Sequence, residues 1–279
     1  MARLLRNTDY NRQIQESNIL QIIEDDEDVR LSVEQAAQSE MISYLAQRYQ
    51  TDKVFTDTTT FDFATTYYGK NLIEYTEDDF VITTAYIADD RVSYKGKIYK
   101  NILACTGVLP TYATNWTYVT EDKSLYYAKT PNAEYSHTTT YDIADVVWYN
   151  DISYTARVET VGHLPTETEY WTAGSTYSFD GFYPENTTYW IKGDNRNQQI
   201  VTYLIDITLY HLHSRINPRN VPELRYVRYD GGNALQTGGA IGWLKKVASG
   251  DVTANIPVII PEQGVSIRYG SNTKNTNTY

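Results

Sequence analysis

Four histidines and one cysteine are the side chains best suited to hold a metal or act as a nucleophile. His211 and His213 are two apart in a stretch with helical periodicity, so they point to different faces. A metal pair on a helix needs a spacing of three or four. Cys105 stands alone, which excludes an intrachain disulfide and any multi-cysteine metal site. The run Glu24-Asp25-Asp26-Glu27-Asp28 could attract a cation. It lacks the alternating spacing, the turn glycine and the distant glutamate of a calcium loop, so a solvated helix junction is expected. Gly238-Gly239-Ala240-Ile241-Gly242 fails the dinucleotide fingerprint, because Thr237 occupies its first glycine position. There is no phosphate-binding loop, no Gly-x-Ser-x-Gly and no cysteine–histidine pairing. Carboxylates are plentiful, but no spacing singles out a hydrolytic pair. The expectation is a protein without enzymatic activity, with no catalytic residue, no metal and no cofactor.

Binding chemistry is better represented. Arg215, Arg219, Arg225 and Arg228 cluster around a short segment bounded by Pro218 and Pro222. Guanidinium groups form planar, bidentate pairs with carboxylates, so these four are a candidate assembly interface.

The elements that would carry these residues change character along the chain. Residues 1–52 are expected to be helical. A cap is available at Thr8 or Asp9, Ile14 and Ile19–Ile23 supply apolar positions, and the acidic run interrupts the pattern. A second helix is expected from Val33 to Tyr49, capped by Ser32, with Val33, Ala37, Met41, Tyr44 and Leu45 on one face. Residues 53–195 have β composition, rich in Thr, Tyr, Val and turn residues. Helix is expected again over 196–257. Ile200, Val201, Leu204, Ile205, Leu209 and Leu212 share a face, Pro222 starts a short helix, and a last helix spans Asn233–Ala248 up to Gly250. Residues 258–279 are expected to be an extended or disordered arm. The order implies a helical domain interrupted by an insertion whose ends, near Thr51 and Gly193, lie close together.

The insertion contains a repeat. Residues 86–117 align with 141–172 without a gap, and eleven of the 32 positions are identical. The shared residues include Tyr86/Tyr141, Asp90/Asp145, Val92/Val147, Tyr94/Tyr149, Tyr99/Tyr154, Gly107/Gly162, Pro110/Pro165 and Trp116/Trp171. Each copy should form a tight hairpin, turning at Lys95-Gly96 and at Asn150-Asp151. A unit this small has little room for an aliphatic core, so its aromatics are expected to serve as one. Tyr94, Tyr99, Trp116, Tyr149, Tyr154 and Trp171 are therefore candidates for the repeat core or, if exposed, for a glycan platform. The 27 tyrosines of the chain suit β surfaces and interfaces.

The formal net charge is −11, distributed as −4 over residues 1–50, −11 over 51–195 and +4 over 196–279. Such a chain is a poor general binder of nucleic acid. The first residues lack an apolar signal segment and no stretch approaches the length of a membrane span, so neither secretion nor membrane association is expected.

Two resemblances follow from these patterns. The repeat's Tyr–Asp–Val–x–Tyr–x–Gly–x–x–Tyr, then Gly–x–x–Pro–Thr and a closing Trp, resembles the small three-stranded carbohydrate-binding modules of chitinases and cellulases. That resemblance covers the two repeats and would make the chain a carbohydrate-binding or adhesion protein of a virion surface. The ends resemble small Mu-like phage head-to-tail connector proteins. The residues that carry this are Ala36-Ala37, Ile42, Tyr44-Leu45 and Arg48-Tyr49, then Ile205, Ile207, Leu209-Tyr210 and Leu212 before Arg215. Val221-Pro222, Arg225, Tyr229-Asp230, Ala234-Leu235, Trp243-Leu244 and Ala248-Ser249-Gly250 complete the pattern. The chain departs from that family by its long insertion, its polar tail and a glycine-rich start to the last helix. With the composition of the middle segment, the expectation is an α+β chain: a connector-type helical domain interrupted by a β-rich insertion of two tandem repeats. The connector resemblance further implies a homo-oligomeric ring, a dodecamer, at the virion neck, assembled in the host cytoplasm. Its partners would be the portal protein and further tail or neck proteins, with viral DNA passing through the channel without sequence-specific binding.

Overall fold

The computed structural model describes residues 3–216, 219–231 and 238–260. The chain is α+β. Its helices are α1 (Glu16–Ile23), α2 (Glu27–Leu45), α3 (Thr51–Val54), α4 (Gln198–Ile216), α5 (Glu223–Asp230) and α6 (Gly239–Ser249), preceded by a 3-10 turn at Asn7–Arg12.

The acidic run is more than a junction. Glu24 and Asp25 take left-handed conformations (φ 55° and 59°) that end α1. The Asp26 side chain then accepts a hydrogen bond from the Asp28 amide and caps α2. Glu27 pairs with Arg30, which also reaches Glu16 at 2.9 Å and is fully buried. The second helix therefore starts at Glu27, well before Val33, and Ser32 lies inside it. α6 begins at Gly239; the earlier part of the helix expected from Asn233 falls outside the described residues, as does the arm beyond Ile260.

One core joins the two ends of the chain. Leu4, Leu5, Tyr10, Ile19, Ala37, Met41 and Leu45 pack in the same buried cluster as Val201, Leu204, Ile205, Leu209, Leu244 and Val247. Pro257 and Ile259 continue this closure by exchanging backbone hydrogen bonds with Gln50 and Arg48.

The insertion holds three modules of one design, not two. In each, a tyrosine hydroxyl accepts a hydrogen bond from the backbone amide five residues earlier: Tyr67 from Asp62 (2.8 Å), Tyr86 from Val81 (2.8 Å), Tyr141 from Ser136 (2.7 Å). A left-handed residue precedes the hairpin: Lys70, Asp89 or Ala144. The next side chain caps that turn: Asn71, Asp90 or Asp145. The hairpin strands are Leu72–Tyr75 with Ser124–Ala128, Arg91–Tyr94 with Lys97–Asn101, and Val146–Tyr149 with Ile152–Ala156. A glycine at positive φ follows in each module, Gly181, Gly107 or Gly162. The closing tryptophan donates its indole N–H to a carbonyl eight residues earlier: Trp190 to Phe182 (2.9 Å), Trp116 to Val108 (3.1 Å), Trp171 to His163 (3.0 Å).

The third module is split, and the repeats are nested in it instead of following one another as a tandem. Between its strands Leu72–Tyr75 and Ser124–Ala128, where a hairpin turn would lie, the chain makes the first repeat. Between Ser124–Ala128 and the strand Ser178–Phe179 it makes the second. We call the split module the frame. Its sheet has four strands, with Thr58–Thr60 parallel to Leu72–Tyr75 at one edge and Trp190–Lys192 at the other. In the repeats the hairpins turn where expected, with Lys95-Gly96 and Asn150-Asp151 all at positive φ, the conformation of a type I′ turn.

The second repeat, Asn132–Ser175, forms a separate compact unit that also takes in Ile260, whereas the first belongs with the frame and the helices. The first repeat is fastened by Arg91, which pairs with Glu185 and lies 3.4 Å over the Tyr183 ring. At the corresponding position the second repeat has Val146, which is 43% exposed. Replacing 132–175 with a short Gly/Ser linker should therefore leave the rest folded. The check is an unchanged thermal transition and helical circular dichroism for the shortened chain; aggregation or a collapsed melting temperature would show that the frame depends on its second guest.

The helical body and the frame meet at Arg196. Its guanidinium, 2% exposed, binds the Asp9 carboxylate at 2.7 and 3.1 Å, Asp194 at 2.8 Å and the Leu4 carbonyl at 2.7 Å. Arg6 adds a 2.9 Å pair to Glu74 of the frame. Val54, Thr56, Lys70 and Asn195 line one groove, so the two ends of the insertion run close together.

Candidate assembly interface

The basic segment of the sequence lies on α4 and α5. The Asn197 side chain caps α4 by accepting from the amides of Gln199 and Ile200. Its apolar face then fills the core, and α5 lies across its second half. Tyr229 of α5 stacks on Tyr210 of α4 with ring centroids 3.9 Å apart. Glu40 of α2 ties both down, accepting from the Tyr229 hydroxyl at 2.7 Å and pairing with His211 at 2.7 Å. Burial pushes the Glu40 carboxyl up, but His211 and Tyr229 outweigh it and hold its pKa below the usual value. α5 ends at Gly231, in a left-handed conformation against Gly238; a β-carbon there would sit 2.7 Å from the Gly238 backbone. The glycines before α6 thus permit a close approach of two chain segments.

The four arginines do not share one exposed face. Arg215 and Arg219 are exposed, Arg228 is half-buried, and Arg225 is 8% exposed. Arg225 and Arg228 both turn toward Gln13, whose side-chain oxygen accepts from them at 3.3 and 2.6 Å. Arg228 lies 3.9 Å from the buried carboxylate of Asp206. Burial pushes the Asp206 carboxyl up, against the smaller effects of Gln13, Arg228 and Arg225. No carboxylate is paired with Arg225 among the described residues, and burial together with the like charge of Arg228 lowers its pKa. A guanidinium in that position is under-compensated, which favours an anionic partner.

Arg225 lines a groove of about 840 Å³ between the 3-10 turn, α1, the end of α4 and α5. Its walls include Ile14, Ile22, Ile216 and Leu224, with Gln15, Asn18 and Gln21 at the rim. Ile216 and Leu224 are 58% and 57% exposed, unusual for aliphatic side chains on neighbouring helices. This groove, with Arg225 in its wall, is the candidate interface. Gln13, Ile216 and Leu224 belong to it, although only the arginines were marked by residue type.

No protein-family model matches the chain, and no curated protein matches it.

The repeat aromatics occupy the module cores. Trp116 and Trp171 are 2% and 1% exposed, and Tyr154 is buried. Tyr94 meets Phe80 edge-on at 5.7 Å, and Tyr149 meets Tyr135 edge-on at 5.8 Å; both are half-buried, as is Tyr99, which packs edge-on against Tyr118. A buried indole whose N–H is already bonded offers no face to a sugar, so the tryptophans are core and not a glycan platform. Trp190, Phe61 and Tyr67 do the same in the frame.

Proposed function

We propose that this chain is a structural subunit of a phage head-to-tail connector, assembling with copies of itself into a ring, twelvefold as the family resemblance implies, below the portal. The observation that supports this best is the single helical core. Residues before and after the insertion, the ones that carry the connector resemblance, pack together as one body. A ring subunit needs such a body. The groove beside α5 supplies a concave surface with exposed aliphatics and an under-compensated guanidinium, the ingredients of a protein contact. The carbohydrate-binding reading has less support, because its closing tryptophans are buried.

The test is electron microscopy of the purified full chain, alone and mixed with the portal of the same virus. Closed rings, or rings that form on the portal, are the expected result. A protein that stays monomeric at high concentration and shows no association with the portal would refute the assignment.

A further inference from the structure

We propose that the ring contact is made by the tip of the first repeat of one copy seated in the α1–α4–α5 groove of the next. The inference rests on the ring reading and names the two surfaces that would build the ring.

The tip is the end of the module where the turn 87–90, the loop 101–104 and the turn 112–115 come together. Hydrogen bonds tie them: Asn101 amide to Asp90 carbonyl (2.7 Å), Ile102 amide to Asn115 carbonyl (2.8 Å), Asn115 side chain to Leu103 carbonyl (3.3 Å). On this end Ile87, Ile102, Leu103 and Tyr112 are 65%, 49%, 57% and 61% exposed. Four large apolar side chains exposed on so small a module form a patch that calls for a partner.

The other two modules show that the fold does not need them. Where the first repeat has Ile102, the frame has Lys129 and the second repeat has Arg157. Where it has Tyr112, they have Asn186 and Glu167. Where it has Ile87, they have Tyr68 and Asp142. The hydrogen bonds of the loop are nonetheless the same: the amides of Lys129 and Arg157 donate to the carbonyls of Tyr189 and Tyr170, as the Ile102 amide donates to that of Asn115. The second repeat also exposes Ile143 and Val158 at its tip (68% and 42%), but it sets Asp142, Arg157 and Glu167 beside them, so the first repeat carries the most apolar tip, and the shared hydrogen bonds do not require Ile87, Ile102 or Tyr112.

The groove complements the tip in three respects. It is concave and about 840 Å³ in volume, room for several side chains. Its walls expose Ile216 and Leu224. Among the described residues its Arg225 makes no ion pair and feels only the more distant charge of Asp206, whereas the tip carries Asp89 and Asp90, with Lys100 paired to Asp89 and the Arg91 guanidinium nearby. Each subunit carries both surfaces, and they differ, so the contact is head-to-tail and can close into a ring.

The experiment uses two variants of the full chain. The tip variant is Ile102→Arg/Tyr112→Glu, which installs the residues that the second repeat already tolerates at those positions. The groove variant is Ile216→Gln/Leu224→Gln, at positions more than half exposed. Both should melt like the wild type. Each alone should self-associate on the order of thirtyfold more weakly than wild type, read by sedimentation velocity, as central interface residues do. Mixed in equal amounts they should form a one-to-one dimer and nothing larger, because one intact tip meets one intact groove. Folded variants that still form rings would overturn the proposal while leaving the ring reading in place. So would variants that fail alone and fail to pair when mixed, or an assembly lost on Val158→Gln at the tip of the second repeat and retained in the tip variant. A wild-type chain that forms no ring, with or without portal, would remove the ring reading itself and this contact with it.

Discussion

Replacing Arg196 with methionine should destabilise the chain by about 3–5 kcal/mol at neutral pH, the usual cost of removing one partner from a buried ion pair. The guanidinium is 2% exposed and Asp9 is fully buried, so no water can replace the lost charge. The loss also leaves the Leu4 carbonyl without the donor it has now. The size of the effect should depend on pH. Burial alone would push the Asp9 carboxyl up, but the hydrogen bonds and charge of Arg196, with help from Arg6, hold its pKa below the ordinary value. Asp194 is lowered too, its burial being outweighed by Arg196. A carboxylate with a depressed folded pKa contributes stability that is present above its unfolded pKa of about 3.9 and is lost as pH falls through the folded value. In the methionine variant that contribution is missing at pH 7 already. The gap between wild type and variant, read from urea unfolding, should therefore be widest near neutrality and shrink below about pH 4. A gap under about 1 kcal/mol at pH 7, the range of an exposed surface pair, or one that stays constant into acid, would mean that the joint between helices and frame does not rest on this pair.

How much of this was legible in the sequence varies from element to element. Helical periodicity marked α4 well, because Ile200, Val201, Leu204, Ile205, Leu209 and Leu212 repeat on one face and all are buried. The start of α2 was misplaced because Glu27, Asp28 and Arg30 look like solvent-facing charges. In the fold Arg30 is fully buried between Glu16 and Glu27, a pairing that periodicity cannot reveal. The hairpins at Lys95-Gly96 and Asn150-Asp151 were readable from turn chemistry. The frame leaves no repeat at a fixed offset, for a topological reason. Its strands are interrupted by both repeats, so no constant offset aligns it with either copy. One contiguous piece did survive: Gly181-x-x-Pro184 followed by Trp190 has the spacing of Gly107-x-x-Pro110 and Trp116. That short motif, and not a fixed offset, is the mark of the third module in the sequence. At the interface, residue type marked the arginines but could not show that Arg225 is buried against Gln13, nor that Ile216 and Leu224 would stand exposed beside it.

The nesting makes the three closing tryptophans unequal, although each has the same local role. Trp190→Ala should cost about 3–5 kcal/mol, as truncating a buried aromatic generally does. Trp190 is 1% exposed and meets Tyr67 at 5.0 Å, Phe179 at 5.1 Å and Phe61 at 6.2 Å, all near edge-on, so the cavity left behind would face three rings from different segments of the frame. Trp171→Ala should cost its own module a similar amount, since that ring is 1% exposed and meets Tyr141 at 5.3 Å and Tyr135 at 5.9 Å. The reach of the damage should differ. The second repeat forms a separate compact unit, so Trp171→Ala should expose only Asn132–Ser175 and leave the helices protected. The frame holds the first repeat through Arg91, Tyr183 and Glu185, and joins the helical body through Arg196 and Arg6. Trp190→Ala should therefore loosen the frame and the first repeat together. Hydrogen exchange followed by peptide separates these outcomes: protection lost only within 132–175 for Trp171→Ala, and lost across 58–128 and 178–192 for Trp190→Ala. If the two variants lose protection over the same peptides, the three modules unfold as one cooperative body and nesting carries no energetic hierarchy.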